Sequence, residues 1–453
     1  MYSAKPAVSW VESNLAILIA AHIALAFLMR SLPALATLHA WLTFAVGVWI
    51  ALTMRDLRKV IPVAAYITGA EVLWRMTDAN VFWEFGKYAT IAILGLAFLR
   101  NWRWKYAALP LIFFALLCIS IPLTIDRLGL SESARQAISF NLSGPLALAV
   151  CALFFSHVRL DLHDLRRTAW MISLPLVSIL SLAAYATLTA QAIRFTTDSN
   201  FLTSGGFGPN QVSAVLGLGV VMMILYAVTV KNQGPRTLAI LIALGFGIQS
   251  ALTFSRGGLY NAAICIFLAA MHLARNRRSR LELFVLLTLL SLVTVFWIYP
   301  QINRFTGGIL EQRFADTEGT GRVEIAQAEL RVWQENPLWG VGPGISPEEG
   351  ARYTGFLDAA HTEYTRLLAE HGIFGLLALF ALLGMAAAAY LRAPNWIIRA
   401  WVVAMVAWPF AEMAHAAMRI VAISFLFGIS VALWKSTQGS PGSQENLEPV
   451  ARR

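Results

Sequence analysis

QVSAVLGLGVVMMILYAVTV, Gln211 to Val230, runs for twenty residues without one charged side chain. At 1.5 Å per residue a helix of that length spans about 30 Å, the thickness of a bilayer's hydrocarbon core. Read outward from it, about fourteen apolar runs recur along the 453 residues. They lie near 13–29, 34–53, 59–75, 88–100, 106–123, 143–158, 169–190, 211–230, 237–253, 257–273, 281–299, 373–391, 397–414 and 419–435. Composition agrees: 58% of residues are hydrophobic and 13% charged, against about 25% charged in soluble domains. Lipid is the solvent this chain expects. The opening Met1 to Val11 is short and mixed, so the first apolar run is expected to be a retained helix rather than a cleaved leader.

The net charge of +10 would suggest nucleic acid in a soluble protein. Here Lys and Arg gather in short clusters between apolar runs, which topology explains without nucleic acid. The clusters are Arg55/Arg58/Lys59, Arg100/Arg103/Lys105, Arg159/Arg166/Arg167, Lys231/Arg236, Arg275/Arg277/Arg278/Arg280 and Arg392/Arg399, with Lys435, Arg452 and Arg453 in the tail. The positive-inside rule puts these in the cytoplasm with both termini. The alternate connections then face outward. Cys118, Cys151 and Cys265 sit inside apolar runs without ligand spacing, and no carboxylate cluster has metal-site spacing, so neither a disulfide framework nor a metal is expected.

The chain divides into helices with short loops over 1–299, one long outer segment over 300–372, further membrane helices over 373–435, and a polar tail over 436–453 expected to be disordered. The outer segment carries an amphipathic helix from about Gly321 to Glu335, with Val323, Ala326, Leu330 and Trp333 on one stripe, Thr320 as N-cap and Asn336-Pro337 as its end. Gly340-Val341-Gly342-Pro343-Gly344 lacks the Lys-Ser/Thr of a nucleotide loop and reads as a turn back to the membrane.

Several arginines stand where the charge rule disfavours them: Arg194, Arg256, Arg322, Arg331 and Arg352. Arg256 lies in Ser255-Arg256-Gly257-Gly258, a turn between two apolar runs, where glycines permit a sharp bend. A guanidinium there suits an anionic headgroup, by bidentate charge-assisted hydrogen bonds. Alone, it reads equally well as an arginine snorkelling to ordinary lipid phosphate. Gly205 to Asn210 by itself is a loop with Asn210 capping the next helix. His361 opens His361-Thr362-Glu363-Tyr364-Thr365-Arg366-Leu367-Leu368, with His361, Tyr364, Thr365 and Leu368 at helical spacing. An imidazole at that surface can accept a proton near neutral pH, although a lone histidine is more often structural. Glu71 and Arg75, four apart, are expected to pair. Glu412, His415 and Arg419 surround the last outer turn and remain unassigned.

Four pieces occur in one order: Arg194 with Gly206-Phe207-Gly208-Pro209-Asn210-Gln211; Ser255-Arg256-Gly257-Gly258; Arg322 through Trp333 to Asn336-Pro337-Leu338-Trp339-Gly340-Val341-Gly342-Pro343-Gly344; and His361-Thr362-Glu363-Tyr364 leading to Ala369-Glu370-His371-Gly372-Ile373-Phe374-Gly375. The ordered set resembles the O-antigen ligase and polymerase superfamily, which includes bacterial protein O-oligosaccharyltransferases. It covers about residues 190 to 390. Two positions depart: Thr362 stands where the family usually has Asn, and His371 where it usually has an apolar residue.

The resemblance implies an all-α polytopic membrane protein of about 12–14 transmembrane helices, C-type glycosyltransferase-like, in a bacterial inner membrane with its site on the periplasmic face. It implies a glycan donor on undecaprenyl diphosphate and no cofactor. The family's diphosphate-binding arginines fall on Arg194 and Arg256, with Arg322 a third candidate, and its histidine on His361, supported by Asn210, Glu363 and Tyr364. The chain is expected to be an O-antigen ligase with lipid A-core as acceptor, because the outer segment is one long loop with a single His motif. With a second lipid-linked glycan as acceptor it would be an O-antigen or exopolysaccharide polymerase. A flippase or transporter is the remaining alternative, disfavoured because the conspicuous charges gather on one surface.

Overall fold

The computed structural model describes residues 13–100, 108–275, 277–315 and 321–435. It is almost wholly helical. α1 (Leu15–Ser31), α2 (Pro33–Thr53), α3 (Ile61–Met76) and α4 (Phe85–Leu99) are followed by α5 (Ala108–Cys118), α6 (Ile121–Leu128), α7 (Glu132–Phe155) and α8 (Leu162–Thr189). Then come α9 (Pro209–Thr229), α10 (Gln233–Leu252), α11 (Gly257–Leu273) and α12 (Arg277–Val293). Short helices α13 (Tyr299–Phe305) and α14 (Ile309–Ala315) lead to α15 (Arg322–Glu335) and α16 (Ser346–Thr354). α17 (Glu363–Arg392), α18 (Trp396–Met413) and α19 (Val421–Ser430) complete the bundle. The expected apolar runs fall on helices, except that the run 106–123 is divided between α5 and α6 and the run 419–435 ends in a short strand at Leu433–Trp434. Among the described residues, eight spans are long and apolar enough to cross a membrane, with α5 and α6 together counted as one, and four shorter helices are also apolar. The single sheet there is a two-stranded parallel pair, Arg159–Leu160 against Leu433–Trp434.

Burial sorts the helices into inner and outer ranks. α9 is buried over 83% of its apolar window, and every residue of the ten-residue α19 is buried. Helices that are apolar all round belong at the centre of a membrane bundle. Small residues permit that density: a Cβ on Gly428 would lie 2.4 Å from the Cys151 Cβ, and one on Gly144 2.6 Å from the Met418 Cβ. The peripheral helices instead expose large apolar side chains such as Trp49, Phe267, Phe380 and Leu391, the surface a bilayer covers.

The 300–372 segment folds on one end of the bundle. α15 buries Ile325, Ala328, Glu329 and Val332, while Val323 is exposed. This corrects the expected stripe. The buried face has the same spacing but includes Glu329, which receives the Thr365 hydroxyl of α17 at 2.5 Å. Thr320 lies outside the described residues, and the N-cap is Gly321, left-handed at φ 69°. Arg103, Lys105, Arg452, Arg453 and the expected disordered tail likewise lie outside them.

The glycine-rich turn does return the chain to the membrane bundle, as a backbone clamp on α17. Val341 and Gly342 N–H groups donate to the Ala369 and Glu370 carbonyls at 3.0 and 2.9 Å. Gly344 N–H donates to the Glu370 carboxylate at 2.9 Å. Opposite them α17 kinks at Gly372 (φ 58°, ψ −134°), and Ile373 N–H donates to the Leu338 carbonyl at 3.2 Å. A Cβ at Gly372 would sit 2.6 Å from the Leu338 carbonyl carbon, so only glycine serves.

Candidate functional site

The turn before α11 joins two of the motifs. Phe254 takes φ 59°, whereas Gly257 and Gly258 keep ordinary backbone angles. Their role is close approach rather than bending, which corrects the sequence expectation. A Cβ on Gly258 would lie 1.9 Å from the Ser213 carbonyl oxygen, and one on Gly257 2.5 Å from the His415 Cε1. Asn210 is also reassigned. α9 starts at Pro209 with Gly208 as N-cap, and the Asn210 Oδ1 instead accepts the Ser255 hydroxyl at 2.9 Å. Ser213 donates to the Ser255 carbonyl at 2.7 Å. Arg256 is thereby held at the head of α11, where its guanidinium donates to the Arg313 carbonyl at 3.2 Å.

Arg322 links Arg256 to ionisable residues of other elements. Arg322, at the start of α15, is half-buried and held below ordinary arginine basicity by burial and then by Arg256, with Glu412 opposing. His361 lies ahead of α17, whose N-cap is Thr362, so it does not share the helical face expected with Tyr364, Thr365 and Leu368. It is half-buried, with Nε2 3.6 Å from the Asp358 carboxylate. Burial lowers its pKa, Arg322 and Arg419 lower it further, and Asp358 pulls the other way. A neutral imidazole at neutral pH follows, the form that accepts a proton.

The sequence reading left His415 unassigned. It stands in the short turn after α18, with its ring against Gly257. Its Nε2 meets the Asn261 Oδ1 at 3.3 Å, and the Asn261 amide donates to Glu412 at 2.6 Å. Burial, and then Arg322, pull its pKa down to about 4. The legible signal was three ionisable residues, Glu412, His415 and Arg419, in an otherwise apolar stretch. Arg419 lies close to His361, donating to the Ala360 carbonyl at 2.8 Å, with its guanidinium 5.9 Å from the Phe140 ring.

The structure places the other expected site residues as follows. Arg194 is exposed. Its carbonyl accepts the Asn200 amide at 3.2 Å, and its guanidinium takes no hydrogen bond or ion pair among the described residues. Its neighbour Phe195 stacks on Phe254 at 5.2 Å, so the loop docks beside the turn without bringing that charge into the group. Glu363 is fully buried, paired with Arg366, and accepts Met418 N–H at 3.2 Å. The Tyr364 hydroxyl donates to the Phe410 carbonyl at 2.8 Å. His371 is buried against Ser120 at 2.5 Å. Arg331 lies over Tyr353, and Arg352 pairs with Glu349 and Glu335. Glu71 and Arg75 pair at 2.8 Å, as their spacing suggested. They also form a joint: Arg75 donates to Gln211 at 2.8 Å, and Glu71 accepts Val421 N–H at 2.7 Å.

One group with potential metal ligands was missed by spacing alone: Asp161, His163 and Asp164. It is accounted for locally. Asp161 and Asp164 form the capping box of α8, and Asp161 also pairs with Lys435 at 2.5 Å.

The arrangement offers fixed cations beside neutral imidazoles at one end of a membrane bundle, which suits a phosphate-bearing ligand whose reaction releases a proton. Comparison with known proteins agrees in kind. Residues 237–380 match the family described as O-antigen ligase. No curated protein matches the chain. The matched segment runs from α10 into α17 and contains Arg256, Arg322 and His361, so this part of the all-α polytopic membrane protein is similar to the O-antigen ligase family, which supports a glycan ligase- or polymerase-type function.

Proposed function

We propose that the chain is an O-antigen ligase that moves a glycan from undecaprenyl diphosphate to a hydroxyl of lipid A-core on the periplasmic face of the inner membrane. The observation that supports this reading is that Arg322 acts on both Arg256 and a His361 biased to its neutral form, at one end of the bundle. A cavity of about 440 Å³ supports a lipid-borne donor. It is lined by apolar side chains from Val220 and Ile224 up to Leu310 and Phe314, beside the carbonyl that holds Arg256.

In the reaction the acceptor O–H bond breaks as its oxygen bonds to the anomeric carbon. The bond from that carbon to the diphosphate oxygen breaks, and its electron pair leaves with the lipid diphosphate. His361 takes the proton, and Arg256 and Arg322 stabilise the growing negative charge. The donor is already activated, so this scheme calls for neither nucleotide nor metal. Arg194 would serve only by turning in from the loop edge.

The test uses purified protein in liposomes, undecaprenyl diphosphate-linked glycan, and either lipid A-core or more donor, with His361→Ala beside wild type. Glycan on lipid A-core, lost in the variant, supports the ligase. Longer lipid-linked chains instead make it a polymerase, and no transfer to either acceptor defeats the reading.

A further inference from the structure

Next to His361 lies a second cavity, of about 280 Å³, with charged side chains in its wall. Its walls include Lys87, Phe140, Glu363, Arg366, Glu370 and Arg419. This is close to the lower end of small-molecule sites, which run from roughly 300 Å³ upward. The volume suits one sugar ring.

Lys87 is the anomaly in this cavity. It is 1% exposed, near the start of α4, in a bundle where an uncompensated charge is expensive. An ammonium offers three protons, and here one is placed, on the Ser143 hydroxyl at 3.2 Å. The nearby buried carboxylates are committed elsewhere. Glu363 and Glu370 both pair with Arg366, and Glu370 also accepts the Ser346 hydroxyl at 3.1 Å. Each carboxylate still has lone pairs to offer, because ionised carboxylates accept at about four sites. The wall therefore presents donors, acceptors and, at the mouth, the exposed ring of Phe140. That mixture matches a polyhydroxylated ring, with hydroxyls that donate and accept and an apolar C–H face.

Position says which sugar. Ala360 lines the cavity, and the next residue is His361. Arg419 also lines it and, with Arg322, is one of the charges His361 feels. A proton acceptor in a transfer reaction must touch the attacking hydroxyl, with the anomeric carbon beyond it. A site whose wall runs up to the residue before His361 is thus placed for the acceptor. We propose that this cavity binds the acceptor's terminal sugar residue, with Lys87 as its buried hydrogen-bond donor. This rests on the transferase reading above.

The experiment measures binding and turnover separately. Deacylated lipid A-core saccharide, which does not partition into micelles, is titrated calorimetrically into purified wild type, Lys87→Met and Ala359→Trp. The first variant removes the ammonium at similar volume, and the second fills the cavity mouth. Both are first checked for an unchanged size-exclusion profile. The expected result is at least tenfold weaker binding in both variants, and in liposomes a matching rise in acceptor KM with donor KM within twofold of wild type. Wild-type transfer with saccharide affinity and acceptor KM unchanged in both variants overturns the cavity assignment and leaves the transferase reading intact. Saccharide binding lost in both variants, in a protein that transfers no glycan, keeps the cavity and overturns the transferase reading. No saccharide binding to wild type overturns the cavity assignment outright.

Discussion

Arg322 and His361 show how a buried charge sets its neighbour's chemistry. Arg322 disfavours a second positive charge nearby, and burial disfavours any, so both His361 and His415 are biased to the neutral form. If His361 is the proton acceptor, its lowered pKa keeps it competent as pH falls to the ordinary 6.5, and the acid limb of kcat/KM lies below that value. A pH–rate profile already declining above 6.5 counts against the assignment. For Arg256→Gln and Arg322→Gln, removal of one contact to developing charge is expected to lower kcat by about 10²–10³-fold. Liposome kinetics at matched protein level check this, and full activity in either variant removes that arginine from the mechanism.

At the scale of elements, α11 and the turn after α18 meet because Gly257 has no side chain. Gly257→Ala puts a methyl where the His415 ring lies and is expected to displace that ring, with loss of transfer at normal membrane level. Activity equal to wild type would show that the position of His415 is irrelevant. α15 docks on α17 through Glu329, whose pKa burial raises to about 8. The ordinary carboxyl value is 4.5. Between those two values the unfolded chain has released the proton and the folded one still holds it. Stability is therefore fully present below pH 4.5 and is lost as pH rises toward 8. Thermal unfolding from pH 5 to 9 should show a falling Tm for wild type and a flatter profile for Glu329→Gln. Parallel profiles for the two proteins would refute the assignment.

For the whole molecule, the joint between the 300–372 segment and the bundle is the clamp of Gly340–Gly344 on the Gly372 kink. It carries backbone hydrogen bonds in both directions, so its loss should loosen the entire end that bears His361. Gly372→Ala demands a left-handed alanine and overpacks the contact with Leu338, at a cost of about 1–3 kcal/mol. A lowered Tm with a reduced rate is expected. An unchanged Tm would mean that the kink is not strained.

Much of this was legible from residues alone, for stated reasons. Apolar length is a property of the chain, so Gln211–Val230 and its fellows announced membrane helices without a partner in view. Spacing four apart sufficed for Glu71 and Arg75, because a helix makes its own i, i+4 neighbours. Misplaced charge singled out Arg256 and Arg322. Tertiary structure decided what depends on which helices touch. It turned Asn210 from cap to hydrogen-bond partner of Ser255, left Arg194 at the edge, made Glu363 and Tyr364 scaffold, and brought His415 beside Gly257. It also moved the buried stripe of α15 onto Ile325, Ala328, Glu329 and Val332. A carboxylate is buried only when a partner such as Thr365 waits for it, and hydropathy along one chain carries no record of that partner.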